Sequence, residues 1–117
     1  MARVTGIGGL FFRAADPTGL AEWYQRHLGI TEGMWQQDAG PTVFSPFEAG
    51  SDYFPTSRQW MLNLRVEGLD TLIGRLRDAG IAVETRADWD GDGAYGRFAR
   101  IADPEGTPIE VWEPPAA

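Results

Sequence analysis

The polar side chains able to act together in this sequence are Arg13, Asn63, Arg65, Arg100 and Glu110. Alternation along strand-like segments puts them on shared faces. If Leu10 and Phe12 face a packed helix, then Phe11 and Arg13 face away from it. If Leu62, Leu64 and Val66 do the same, then Met61, Asn63 and Arg65 lie opposite. Near the C-terminus Ile101, Ile109 and Val111 read as core, which leaves Phe98, Arg100, Glu110 and Trp112 on the other face. Guanidinium forks at such a centre would orient an anionic or carbonyl group. Glu110 would act as a general base once partly desolvated. Phe11, Phe98 and Trp112 would rim the centre with aromatic surface, and Met61 would add a thioether. The plainer reading pairs Arg100 with Glu110 across a hairpin, where they only stabilise it.

Other chemistry-bearing residues are sparse. There is no cysteine, so neither disulfides nor thiolates carry fold or function. The single histidine, His27, sits on a helix stripe and reads as a partly buried, hydrogen-bonded side chain. Asp88-Trp89-Asp90-Gly91-Asp92-Gly93 matches the opening of a calcium loop. The closing bidentate Glu is missing, because Ala99 holds its place, so the stretch reads as a solvated turn. Trp35, Tyr53, Phe54 and Trp60 gather near one connecting segment and suggest a ligand rim or an interface.

The elements that must position these residues follow from local signals. Val4–Arg13 is rich in β-formers near its end and is predicted as a strand. Asp16-Pro17 then marks a helix start, with Asp16 as cap. Leu20, Trp23, Tyr24, His27 and Leu28 follow at helical spacing, and Gly29 stops the helix. Strands are predicted near Gly33–Gln37 and Thr42–Ser45, and Pro46–Ser57 reads as a connecting loop. The pattern then restarts. Trp60–Val66 alternates, and Leu69, Leu72, Ile73 and Leu76 form a second stripe stopped by Gly80. Ile81–Thr85, Arg97–Ala102 and Pro108–Glu113 read as strands, the last pair joined through Asp103-Pro104-Glu105-Gly106. Phe12-Arg13, helix, Gly29-Ile30 therefore corresponds to Leu64-Arg65, helix, Gly80-Ile81 at nearly equal separation. This predicts an α+β fold of two tandem βαβββ modules in one domain over residues 1–117. Module one takes about residues 1–50, the linker about 46–57 and module two about 58–117. Neither unit closes a core alone, so the two sheets should join.

Bulk composition excludes several function classes. Hydrophobic residues make up 43% and charged residues 23% of 117, which is ordinary for a globular chain. The net charge of −7, with 17 acidic residues against 10 scattered arginines, argues against a nucleic-acid partner. Met1–Gly9 lack the basic start and apolar run of a signal peptide, and no stretch is apolar enough to span a bilayer. A soluble cytoplasmic protein with no membrane partner is expected.

The chain resembles the vicinal-oxygen-chelate superfamily of glyoxalases, bleomycin-resistance proteins and extradiol dioxygenases over essentially its whole length. The residues that carry the resemblance are Gly8–Pro17, Trp23-Tyr24, Leu28-Gly29-Ile30 and the hairpin Asp103–Trp112. It implies an incomplete barrel around a cleft and a homodimer. It also implies a divalent metal held by His, Glu or Gln on the first and last strands of each module. Those positions fall at Gly9, Met61, Thr42 or Phe44, and Glu110. Of these only Glu110 is a credible ligand, and one carboxylate cannot hold a catalytic metal alone. These residues argue against a classical glyoxalase I or extradiol dioxygenase, and no cofactor is expected.

The expected function is binding of a small molecule in the cleft, by Phe11, Arg13, Met61, Asn63, Arg65, Phe98, Arg100 and Trp112 around Glu110. The alternatives are a lyase, isomerase or dioxygenase-type enzyme using Glu110 with or without a divalent metal, and a non-catalytic accessory dimer.

Overall fold

A computed structural model describes residues 2–116 of the chain. Helix α1 spans Pro17–Leu28. The Asp16 carboxylate accepts the Gly19 N–H at 3.0 Å, and Pro17 needs no partner for a missing N–H, so the first turn is capped as expected. Gly29 ends the helix at φ 70°, a left-handed conformation that favours glycine. Helix α2 spans Leu69–Asp78 and buries Leu69, Leu72, Ile73 and Leu76 along one stripe. A short helix, α3, spans Ala87–Asp90.

Three strands form one sheet: β1 (Leu62–Arg65), β2 (Arg97–Ala102) and β3 (Pro108–Glu113), in the order β1-β3-β2. The central strand β3 pairs parallel with β1 and antiparallel with β2. Leu62 stands beside Ile109 and Leu64 beside Val111, while Ala99 opposes Val111 and Ile101 opposes Ile109. These residues share one face, and α1 and α2 cover it. Leu20, Tyr24, Leu72, Ile73 and Leu76 join Ala99, Ile101, Ile109 and Val111 in a single core. Each buried leucine, isoleucine or valine side chain there is worth about 1.5–3 kcal/mol.

The turn between β2 and β3 fastens α1 to the sheet. Asp103, 4% exposed, accepts the Glu105 and Thr107 N–H groups on Oδ1 and the Tyr24 hydroxyl on Oδ2. Glu105 reaches across to accept the Ala15 and Asp16 N–H groups at 2.7 and 3.0 Å. A hairpin turn in the second half thus supplies acceptors for the donors at the start of α1 in the first half.

The first half differs from its expected form. Both helices of the repeat are present; α1 ends at the left-handed Gly29, and the left-handed Gly80 follows the Ala79 cap of α2. The strands predicted over Val4–Arg13, Gly33–Gln37 and Thr42–Ser45 are irregular in this chain. A strand exists only when a neighbour takes its N–H and C=O groups, and no described segment lies alongside to do so. Phe11 and Phe44 are accordingly 94% and 84% exposed. The segment predicted as a strand over Ile81–Thr85 contributes a single bridge, Glu84 with Arg100, at the edge of β2. The result is a small mixed α+β domain with an open three-strand sheet.

Candidate functional site

The face of the sheet opposite the helices carries the polar centre. Period-two alternation on β1, β2 and β3 sends Asn63, Arg100 and Glu110 to this face, because their neighbours Leu64, Ile101 and Ile109 are apolar and point at the core. The pleat then makes them contiguous: Asn63 is the register partner of Glu110 on one side and Arg100 on the other. Phe98 and Trp112 form the next row. Their rings stack at 6.3 Å with planes 7° apart, and the Trp112 indole N–H donates to the Tyr95 carbonyl at 2.7 Å.

Glu110 is 7% exposed, and both its oxygens are engaged by neutral donors. Asn63 Nδ2 donates to Oε1 at 2.7 Å, and the Tyr53 hydroxyl donates to Oε2. Burial and the adjoining carboxylate push the Tyr53 phenol up to about 12, since both oppose a phenolate there.

Arg100 does not pair with Glu110, although the two oppose each other in the ladder. The ion pairs among the described residues are Arg86 with Asp88 and Arg97 with Asp70. The Arg100 guanidinium instead packs against two rings that touch each other edge-on, 5.1 Å from the Tyr53 centroid and 5.0 Å from that of Trp89. One of its terminal nitrogens donates to the Tyr53 carbonyl at 3.0 Å, and its buried Nε has no partner among the described residues. Cation–π contact of this kind contributes about 0.5–2 kcal/mol. The pair across the hairpin is replaced by contact with an aromatic pair. Beside it a shallow, open depression is lined by Pro55, Val83, Glu84, Arg100 and Pro108 among others.

The other expected site residues are distributed differently. Arg65 is next to this face but donates to the Asp38 and Pro41 carbonyls, tethering the first half to β1. Met61 is partly buried just before β1. Phe11 and Arg13 are exposed on the irregular N-terminal segment, outside the hydrogen-bonded group. Two residues of the cluster were not among the expected site residues. Tyr53 is one of the four linker aromatics that suggested a ligand rim or an interface, but nothing local in the sequence joined it to Glu110. Trp89 is hidden in the calcium-like stretch, whose acids serve local structure: Asp90 accepts the Phe98 N–H, Asp92 the Ala94 N–H, and Asp88 pairs with Arg86.

The donor set does not fit the divalent metal that the fold implies. Gly9 has no side chain, Met61 is a soft thioether, and the Glu110 oxygens already hold Tyr53 and Asn63. Among the described residues no three of His, Asp and Glu converge as a chelating group.

An open sheet with helices on one face and an aromatic-walled polar cluster on the other defines the class of this domain. Residues 9–112 match the family described as glyoxalase-like domain, and the chain belongs to that family. Among solved structures it is similar to the crystal structure of TnmS3, an antibiotic binding protein from Streptomyces sp. CB03234. The TM-score is 0.62 at 19% identity, over 98% of this chain and 100% of that one. That likeness concerns the fold. No curated protein matches the chain.

Proposed function

We propose that this protein is a small-molecule binder of the glyoxalase and bleomycin-resistance type, with the Glu110 cluster as its site and no metal tetrad. The observation that carries the reading is a buried carboxylate held by neutral donors, beside an arginine packed on the rings of Tyr53 and Trp89. Polar groups converging within aromatic walls are what a small-ligand site needs for orientation and burial. The description of TnmS3 as antibiotic-binding supports the same reading. Calorimetry of the purified protein against a panel of metabolites and antibiotics tests it. Stoichiometric binding without turnover is expected, weakened about tenfold or more by Glu110→Gln, since a charge-assisted hydrogen bond is worth about 1.5–3 kcal/mol. Turnover that depends on Glu110 would replace the binder with an enzyme. A stoichiometric transition metal in the purified protein would overturn the metal-free site.

The working form is a homodimer, in which the tandem βαβββ arrangement is completed. The support is the first half itself. Its segments expected as strands have no ladder partner among the described residues, and Val4, Ile7, Phe11, Met34, Val43 and Phe44 are exposed on them. A second copy would take up both the backbone groups and the apolar surface.

A further inference from the structure

We infer that Tyr53 is a built-in surrogate ligand, and that the site takes a hydroxyl-bearing aromatic molecule, a phenol, that displaces it; this rests on the binding role proposed for the Glu110 cluster. Tyr53 belongs to an irregular segment of the chain, not to the sheet that carries its partners. Its ring lies in a box made by Phe47 of the same segment and by Trp89 and Arg100 of α3 and β2. Phe47 stands at 5.6 Å and Trp89 at 6.4 Å between ring centroids, and the Arg100 guanidinium covers one face at 5.1 Å. Its hydroxyl points at the end of the box and donates to the buried Glu110 carboxylate, which Asn63 holds from the other oxygen. Each wall recognises one part of a phenol. The rings and the guanidinium take an aromatic face, and the carboxylate takes an O–H donor. A carboxylate buried on the sheet needs a donor, and an aromatic alcohol fills the box and supplies one together. The structure therefore displays its ligand's chemistry in a side chain that a free molecule can replace.

The test uses the full chain with Tyr53→Ala and Tyr53→Ser, and three probes: para-cresol (the free side chain of tyrosine), toluene and para-methylanisole. Truncation empties the box and removes a tethered competitor whose effective concentration is on the order of millimolar. Calorimetry should show para-cresol binding Tyr53→Ala at least about tenfold more tightly than it binds the unaltered protein. Toluene and para-methylanisole, which lack the donor, should bind that variant at least about tenfold more weakly than para-cresol. Melting temperature gives a second readout that works even on a marginal fold, because a ligand bound only by the native state raises it. In both variants para-cresol should raise it further than toluene does. Equal binding of para-cresol and toluene would overturn the phenol assignment while leaving a small-molecule site in place. Failure of every probe on both variants, with a panel compound still bound by the unaltered protein, would overturn the surrogate role alone. If the unaltered protein and both variants bind nothing, the binding role falls too.

Discussion

Asp103 satisfies three donors from a position that is almost wholly buried. Asp103→Ala would leave the Tyr24 hydroxyl and two turn N–H groups without an acceptor, each worth about 1–3 kcal/mol when buried. The expected loss is about 3 kcal/mol or more in urea unfolding. Tyr24→Phe should cost less, because Asp103 keeps its two backbone donors. Tyr53 makes a prediction in pH. Its folded-state value, about 12, lies above its ordinary 10.0, so the folded protein holds that proton more tightly than the unfolded chain. The stabilisation is fully present below about pH 10 and is lost as pH rises through about 12. Tyr53→Phe should flatten that part of the alkaline unfolding curve. The Tyr24 phenol, also raised by burial and by Asp103, keeps the rest of the alkaline sensitivity in place.

At the scale of elements, two glycines separate backbone need from backbone tolerance. Gly96, just before β2, has φ 100°, and a Cβ there would collide with the Glu113 carbonyl. Gly96→Ala should therefore destabilise by about 2 kcal/mol or more, from strain at that φ and from the displaced edge of β3. Gly74 lies within α2 with open space where a Cβ would sit. Gly74→Ala should stabilise by about 0.5–1 kcal/mol, since alanine loses less backbone freedom in a helix interior. Thermal melts of the two variants should move in opposite directions. The helices and the second-half strands were legible in the sequence because their signals are local. Asp16-Pro17, Gly29 and Gly80 bound the helices, and Leu62–Val66 and Ile109–Val111 alternate about a core.

For the whole molecule, assembly is the open physical demand. Phe11→Asp and Phe44→Asp remove apolar surface that the single chain leaves in water. Sedimentation should show a dimer for the unaltered protein and a shift toward monomer for the double variant. A dimer unchanged by both substitutions would mean that the first half is not the contact. No described helix is long and apolar enough to cross a membrane.

The family and its helices could be read directly from the chain, as could the inner and outer faces of β1, β2 and β3. Caps, turn glycines and alternation act between residues close in sequence. The meeting of Glu110 with Asn63 also needed little more than register. The rest depended on contacts between residues remote in sequence. Tyr53 and Trp89 reach Arg100 only through the paths of the linker and α3, and Arg100 packs on their rings in place of the ion pair that strand register alone suggests. The irregular first half has the same origin. β-propensity in Val4–Arg13 becomes a strand only where another backbone lies alongside, and such pairing is a property of the assembled fold.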